Sequence, residues 1–171
     1  MPKKVITTAV LSLYLSACAW FQPHYTSGLE GQSLPEFDLT LKDSTKEFNT
    51  SSISAGKPFA ILLYQPYCPY CQAQTEDILK NIADFKTMQL YFVTSYSYLA
   101  MSRFSDHYHL EKYSNITLVR DSSDQLLRYF NAPGVPYLAI YDQQKKLKKV
   151  IIGKNDYTTV KNSMAFQTTG H

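Results

Sequence analysis

Cysteine is scarce in this chain, with three in 171 residues, at positions 18, 68 and 71. So few cannot staple a small disulfide-dense scaffold, and each one needs its own reason to be there. An excess of one charge is also lacking: Lys+Arg is 17 against Asp+Glu 14, a formal +3. Without Lys3 and Lys4, which fall in a leader-like amino terminus, the count is 15 against 14, a net of +1. Nothing in that balance asks for nucleic acid. The one dense basic run, Lys145-Lys146-Leu147-Lys148-Lys149, follows Asp142-Gln143-Gln144 between two apolar segments and reads as a solvated hairpin turn. A continuous apolar run of the roughly 18 residues that a membrane span needs is missing. Internal repeats and low-complexity tracts are missing too. What remains, with 44% hydrophobic residues, is enough for one domain with its own core.

The chain is organised around residues 59–79. The unbroken apolar run from Phe59 to Tyr64 suits a strand buried on both faces of a sheet with a parallel component, and Pro66 stops it. Downstream, Cys71, Ile78, Leu79, Ile82 and Phe85 recur at spacings that give a helix one apolar face. Between them sits Cys68-Pro69-Tyr70-Cys71. Pro69 falls at the first helical position, where its missing N–H is no loss. Cys68 then lies at the helix mouth, where the free N–H groups of the first turn favour thiolate over thiol. Cys71, one turn on, can close a disulfide with it. A Cys-x-x-Cys beside a strand and helix is a redox pattern.

Taken in order, residues 1–17 form a basic start followed by a short apolar segment, as in a signal peptide. Leu15-Ser16-Ala17-Cys18 resembles the bacterial lipobox, which implies that Cys18 becomes the lipid-bearing first residue of the mature chain. Ala17-Cys18-Ala19 also fits the small-x-small site of ordinary secretion. Ala19 after the lipid cysteine implies the outer membrane if the cell is Gram-negative, with the protein anchored at the periplasmic face of the envelope. Residues 18–33 read as a tether, and a domain is expected over 34–168. Within it the pattern predicts strands at 35–41 and 45–48, the central strand, its helix, a strand at 90–94 and a helix at 99–113. Leu99, Met101, Phe104 and Leu110 are expected inward on that helix. A strand at 116–119, a short helix at 125–130 capped by 121–124, strands at 137–141 and 147–152, and a helix from about 156 follow. Strands alternating with helices, and a closing hairpin plus helix, favour an α/β sandwich with a mixed sheet.

With Cys68-Pro-Tyr-Cys71 after a strand and Gly134-Val-Pro136 before the next-to-last one, the chain resembles the thioredoxin superfamily over nearly the whole mature domain. Gly31-Gln-Ser-Leu-Pro-Glu-Phe-Asp-Leu and Gly56-Lys-Pro are similar to the membrane-tethered TlpA/ResA group and its redoxin relatives. The resemblance implies a thioredoxin-like three-layer α/β/α sandwich with a central mixed sheet and an N-terminal β-hairpin extension. It also implies a cis Pro136 facing the cysteine pair and a Val135 backbone offered to a substrate segment. The less favoured alternative for Pro136 is a trans turn residue opening an edge strand. The implied activity is thiol–disulfide exchange: Cys68 attacks a substrate disulfide and Cys71 resolves the mixed disulfide, with no further cofactor. Its partners would be a disulfide-containing envelope protein or small thiol, and a membrane or periplasmic thiol reductant. The Pro-Tyr dipeptide is similar to that of glutaredoxins and points to a moderately reducing pair.

Three departures from the family stand out. Tyr67 replaces the usual Trp before the first cysteine, Leu62 stands where thioredoxins bury an acid, and Gln74 stands where the TlpA type has Glu. Glu76 is expected to face solvent. Cys68, Cys71, His107 and His109 are ligand types for zinc or copper, but His-x-His on a helix points its rings to different sides. A redoxin-type peroxidase motif, Pro-x-x-x-Thr-x-x-Cys, would need Pro at Ile61 and Thr at Gln65. A static structural disulfide is disfavoured by Pro69 at the first helical position.

Overall fold

The structure, a computed structural model, describes residues 25–42 and 46–164. The leader and Cys18 lie outside the described residues. Seven strands form one mixed sheet: β1 (Asp38–Leu41), β2 (Glu47–Asn49), β3 (Phe59–Leu63), β4 (Gln89–Thr94), β5 (Ile116–Arg120), β6 (Tyr137–Tyr141) and β7 (Leu147–Ile152). Their order is β2-β1-β5-β4-β3-β6-β7. β3 runs parallel to β4, and β4 to β5, while β6 lies antiparallel to β3 and β7 antiparallel to β6.

The apolar run of β3 explains its central place. Phe59, Ile61 and Leu63 enter one core cluster, and Ala60, Leu62 and the following Tyr64 enter the other. Side chains of a strand alternate between faces, so only a strand covered on both sides can hold such a run. Burial of each large apolar side chain there contributes roughly 1.5–3 kcal/mol.

The crossovers from β3 to β4 and from β4 to β5 step in the same direction across the sheet. Right-handed connection therefore puts both helices on one face. These are α1 (Pro69–Lys80) and α2 (Tyr98–Tyr108), joined there by α4 (Tyr157–Met164); Ile78, Met101, Phe104 and Val160 share their cluster. The opposite face is covered more thinly, by α3 (Gln125–Tyr129), through Leu126, and by the segment carrying Leu34, Leu39 and Ile53. The α/β sandwich with its amino-terminal hairpin is as the sequence predicts. Thr50 secures that hairpin: its hydroxyl donates to the Pro35 carbonyl at 2.7 Å and accepts from the Phe37 N–H at 2.8 Å.

Three local features differ from expectation. Helix α2 is shorter than residues 99–113, because His109 takes a left-handed conformation (φ 51°) and residues Leu110–Lys112 continue as a 3-10 turn. Leu99 points outward and is 61% exposed. It sits two positions, about 200° of helical rotation, from the buried Met101, so the two cannot share a face. Contacts with the domain also begin ahead of Leu34: the Gly31 N–H donates to the Leu147 carbonyl at 2.7 Å, and the Leu147 N–H to the Gln32 carbonyl at 2.9 Å. Among the described residues no helix is long and apolar enough to cross a membrane.

Candidate active site

Beyond the end of β3 the chain turns through Pro66 and Tyr67, and the Cys68 N–H closes back on the Gln65 carbonyl at 3.1 Å. Cys68 then caps α1 in an extended conformation, with Pro69 at the start of the helix and the Gln72 N–H donating to the Cys68 carbonyl at 3.0 Å. The Cys68 sulfur takes no capping hydrogen bond from the helix. It is half-buried, and its thiol points to the Val135 carbonyl at 4.0 Å.

Cys71, one turn further, is fully buried, and its sulfur accepts the Gln65 N–H at 3.5 Å. Both cysteines are free thiols. Burial pushes the Cys71 thiol up to about 12, assisted by the neighbouring Cys68 side chain and opposed by the Gln65 N–H. No carboxylate figures among the groups acting on it.

The Val135–Pro136 peptide bond is cis. Val135 packs at the margin of both core clusters, at the end of the sheet where the two layers meet. Pro136 leads into β6, an interior strand between β3 and β7, so the alternative of a trans proline opening an edge strand does not hold. The structure thus brings Cys68, Cys71, Val135 and Pro136 to one end of the sheet.

The surroundings are aromatic and contain little charge. Tyr67 and Tyr70 are exposed, and Tyr67 meets Tyr96 edge-on at 5.8 Å. Behind Cys71, Tyr64 is buried, and burial, with Cys71 nearby, raises its phenol. Leu62 is buried in the core. Gln74 is buried as well, its Oε1 accepting the Asn155 N–H at 2.9 Å, so it ties α1 to the segment before α4. Asp77 of the same helix pairs with Lys154 of the same segment. Glu76 is exposed and accepts the Tyr108 hydroxyl at 3.4 Å. His107 stacks edge-on against Tyr108, and His109 faces Glu111 at 3.8 Å. Among the described residues no group of three or more His, Cys, Asp or Glu side chains converges.

Sequence reasoning missed two features of this region. Gln74 and Thr75 are buried on the face of α1 that carries Cys71, a position polar residue types do not advertise. Asp121, read only as part of a helix start, is buried at the end of β5. No local signal marks it, because Arg120 stands between it and the apolar residues of β5.

Against known proteins, the chain is 24% identical over 120 residues to an uncharacterized protein of Haemophilus influenzae, covering 68% of this chain and 77% of that one. Among solved structures it is similar to a secreted Mycobacterium tuberculosis disulfide oxidoreductase homologous to E. coli DsbE. That likeness has 20% identity and a TM-score of 0.62, and covers 76% of this chain and 95% of the other. It is also similar to Enterococcus faecalis AhpC, with 19% identity, a TM-score of 0.65, and 81% and 92% covered. These likenesses establish a thioredoxin-like fold. The family match runs over residues 31–150, most of the described domain, and on it the chain belongs to the AhpC/TSA family.

Proposed function

We propose that the chain is a thiol–disulfide oxidoreductase of the cell envelope that reduces substrate disulfides through Cys68 and Cys71. The observation that carries this reading is the approach of the half-buried Cys68 thiol to the Val135 carbonyl at 4.0 Å, with the buried Cys71 one helical turn behind. A substrate strand laid along Val135 and Pro136 would bring its own sulfur to Cys68. The Cys68 thiolate attacks that sulfur, forming a Cys68–substrate disulfide and expelling one substrate thiolate, which takes up a proton. Cys71 then gives its proton to solvent and attacks the Cys68 sulfur. The second substrate thiol leaves, and a Cys68–Cys71 disulfide remains. Two electrons pass from chain to substrate, and a thiol reductant of the envelope restores the dithiol.

The envelope location rests on Leu15-Ser16-Ala17-Cys18 and on lipid attachment at Cys18. One diacylated cysteine with a further acyl chain provides the two or more anchors that stable membrane residence needs. Cys18→Ser should release a soluble, redox-active protein, and an unmodified mature terminus at Trp20 in the unaltered protein would refute lipidation.

The deciding assay for the chemistry is reduction of insulin by the pre-reduced protein, beside refolding of a scrambled-disulfide substrate and consumption of hydrogen peroxide. Insulin reduction lost in Cys68→Ala, with mixed disulfides trapped by Cys71→Ala, is the expected result. Full activity in Cys68→Ala would refute the mechanism. Peroxide consumption without insulin reduction would replace it with a peroxidase.

A further inference from the structure

Beside the dithiol lies a cavity of about 150 Å³ that the exchange reaction does not use, bordered by Gln65, Thr94, Ser95, Asp121, Asp124 and Val135. Two of these residues touch the reacting sulfurs from the other side: the Gln65 N–H holds Cys71, and the Val135 carbonyl faces Cys68. Asp121 is 3% exposed and is the one carboxylate among the buried polar residues described. Its Oδ2 accepts the Leu126 N–H at 2.8 Å, which anchors the start of α3. Its Oδ1 has no hydrogen-bond partner and is closed to solvent, so a small shift of the carboxylate is needed before a ligand in the cavity can reach it.

A buried carboxylate oxygen left without a donor is costly, and a cation brought to it offsets that cost. None of the residues bordering the cavity is a lysine or arginine. The adjacent Arg120 is committed elsewhere, its Nε donating to the Tyr96 carbonyl at 2.9 Å and its guanidinium lying 4.8 Å from the Tyr98 ring centre.

We propose that this cavity is a specificity pocket for a cationic side chain, lysine or arginine, standing next to the cysteine of a substrate disulfide. The inference rests on the exchange activity proposed above and names the class of substrate that site prefers. The volume suits one side chain, being of the size that admits a benzene molecule in an engineered core. Asp121 supplies the charge-assisted hydrogen bond, Asp124 adds a second negative group, and Thr94, Ser95 and Gln65 offer neutral acceptors for the remaining N–H groups. A substrate strand passing Val135 places neighbouring side chains on alternate sides, so the residue beside the cysteine can enter the cavity while the cysteine meets Cys68.

The test uses the full chain, reduced beforehand, and three peptide disulfides of one sequence that carry lysine, norleucine or glutamate beside the cysteine. An uncharged small disulfide, hydroxyethyl disulfide, is run in parallel. The lysine peptide should be reduced with kcat/KM about tenfold above norleucine, the scale of one charge-assisted hydrogen bond, with the gain in KM. The glutamate peptide should be slowest. Asp121→Asn keeps an oxygen for the Leu126 N–H and should bring the lysine-to-norleucine ratio to within about twofold. Asp124→Asn should lower the ratio by a smaller factor, and it serves as the charge test if Asp121→Asn does not fold. Equal rates for the lysine and norleucine peptides in the unaltered protein would overturn the pocket while leaving the exchange activity standing. So would a ratio unmoved by removal of either carboxylate. Failure to reduce any of the disulfides, hydroxyethyl disulfide included, would instead refute the proposed activity.

Discussion

Resolution of a mixed disulfide by this protein should accelerate with pH far beyond the range of an ordinary thiol. Cys71 attacks only as thiolate, and its burial pushes the thiol up to about 12. At neutral pH a thiol so shifted is ionised in about one molecule in 10⁵, against roughly one in 30 for a free cysteine. Each added pH unit should therefore speed the step about tenfold. Part of the elevation comes from the Cys68 side chain, and that part changes once Cys68 is derivatised. Burial is the first cause and remains. Ellman's reagent reads both steps: the first thionitrobenzoate is released as Cys68 becomes a mixed disulfide, and the second as Cys71 displaces the label. Followed by stopped flow from pH 6 to 10, the second release should rise log-linearly without a plateau. A plateau with a midpoint below pH 9 would refute the assignment of Cys71 as a burial-suppressed thiol.

Other outcomes follow from the core and its hydrogen bonds. Burial raises the phenols of Tyr64, Tyr137 and Tyr141, so above pH about 10 the unfolded chain releases protons that the folded chain retains. Stability then falls as pH rises, by up to about 1.4 kcal/mol per unit for each group, and chemical denaturation at pH 9 and 11 should show the loss. Phe59→Ala removes a buried ring stacked on Tyr141 at 4.5 Å and should cost about 3–5 kcal/mol by urea titration. Thr50→Val leaves the Phe37 N–H and the Pro35 carbonyl without their partner, a loss of about 1–3 kcal/mol, with exchange protection reduced first in the β1–β2 hairpin.

Sequence patterning worked best where one chemical cause dominated. β6 and β7 fall at the predicted residues because β6 is an apolar run opened by Pro136, and β7, which opens with Leu147-Lys148-Lys149 and ends in Val150-Ile151-Ile152, is set off from it by the Asp142 turn. The Cys68–Cys71 segment was legible because a helix that opens with Pro leaves little choice of register. Helix α2 was misjudged because its run of apolar types straddles two faces, and the left-handed turn at His109 belongs to no recognisable pattern. Gln74 escaped because its burial depends on a backbone N–H supplied from residue 155, which no local window contains. Asp121 escaped for a similar reason: its surroundings are assembled from β3, β4 and the segment before β6.

The two outer strands of the described sheet carry features that discourage pairing with a further strand. At one margin β2 spans three residues, too short to template a neighbouring strand. At the other, β7 has its first residue paired on its open side by residues 31 and 32, carries the exposed Lys148, and faces a register shift between Ile140 and Tyr141. Shortness, cover, lysine and irregular register are each known to blunt edge-to-edge association. Strand addition is therefore discouraged along both margins, and the approach left to another polypeptide is at the strand ends, beside the cis bond and the exposed tyrosines.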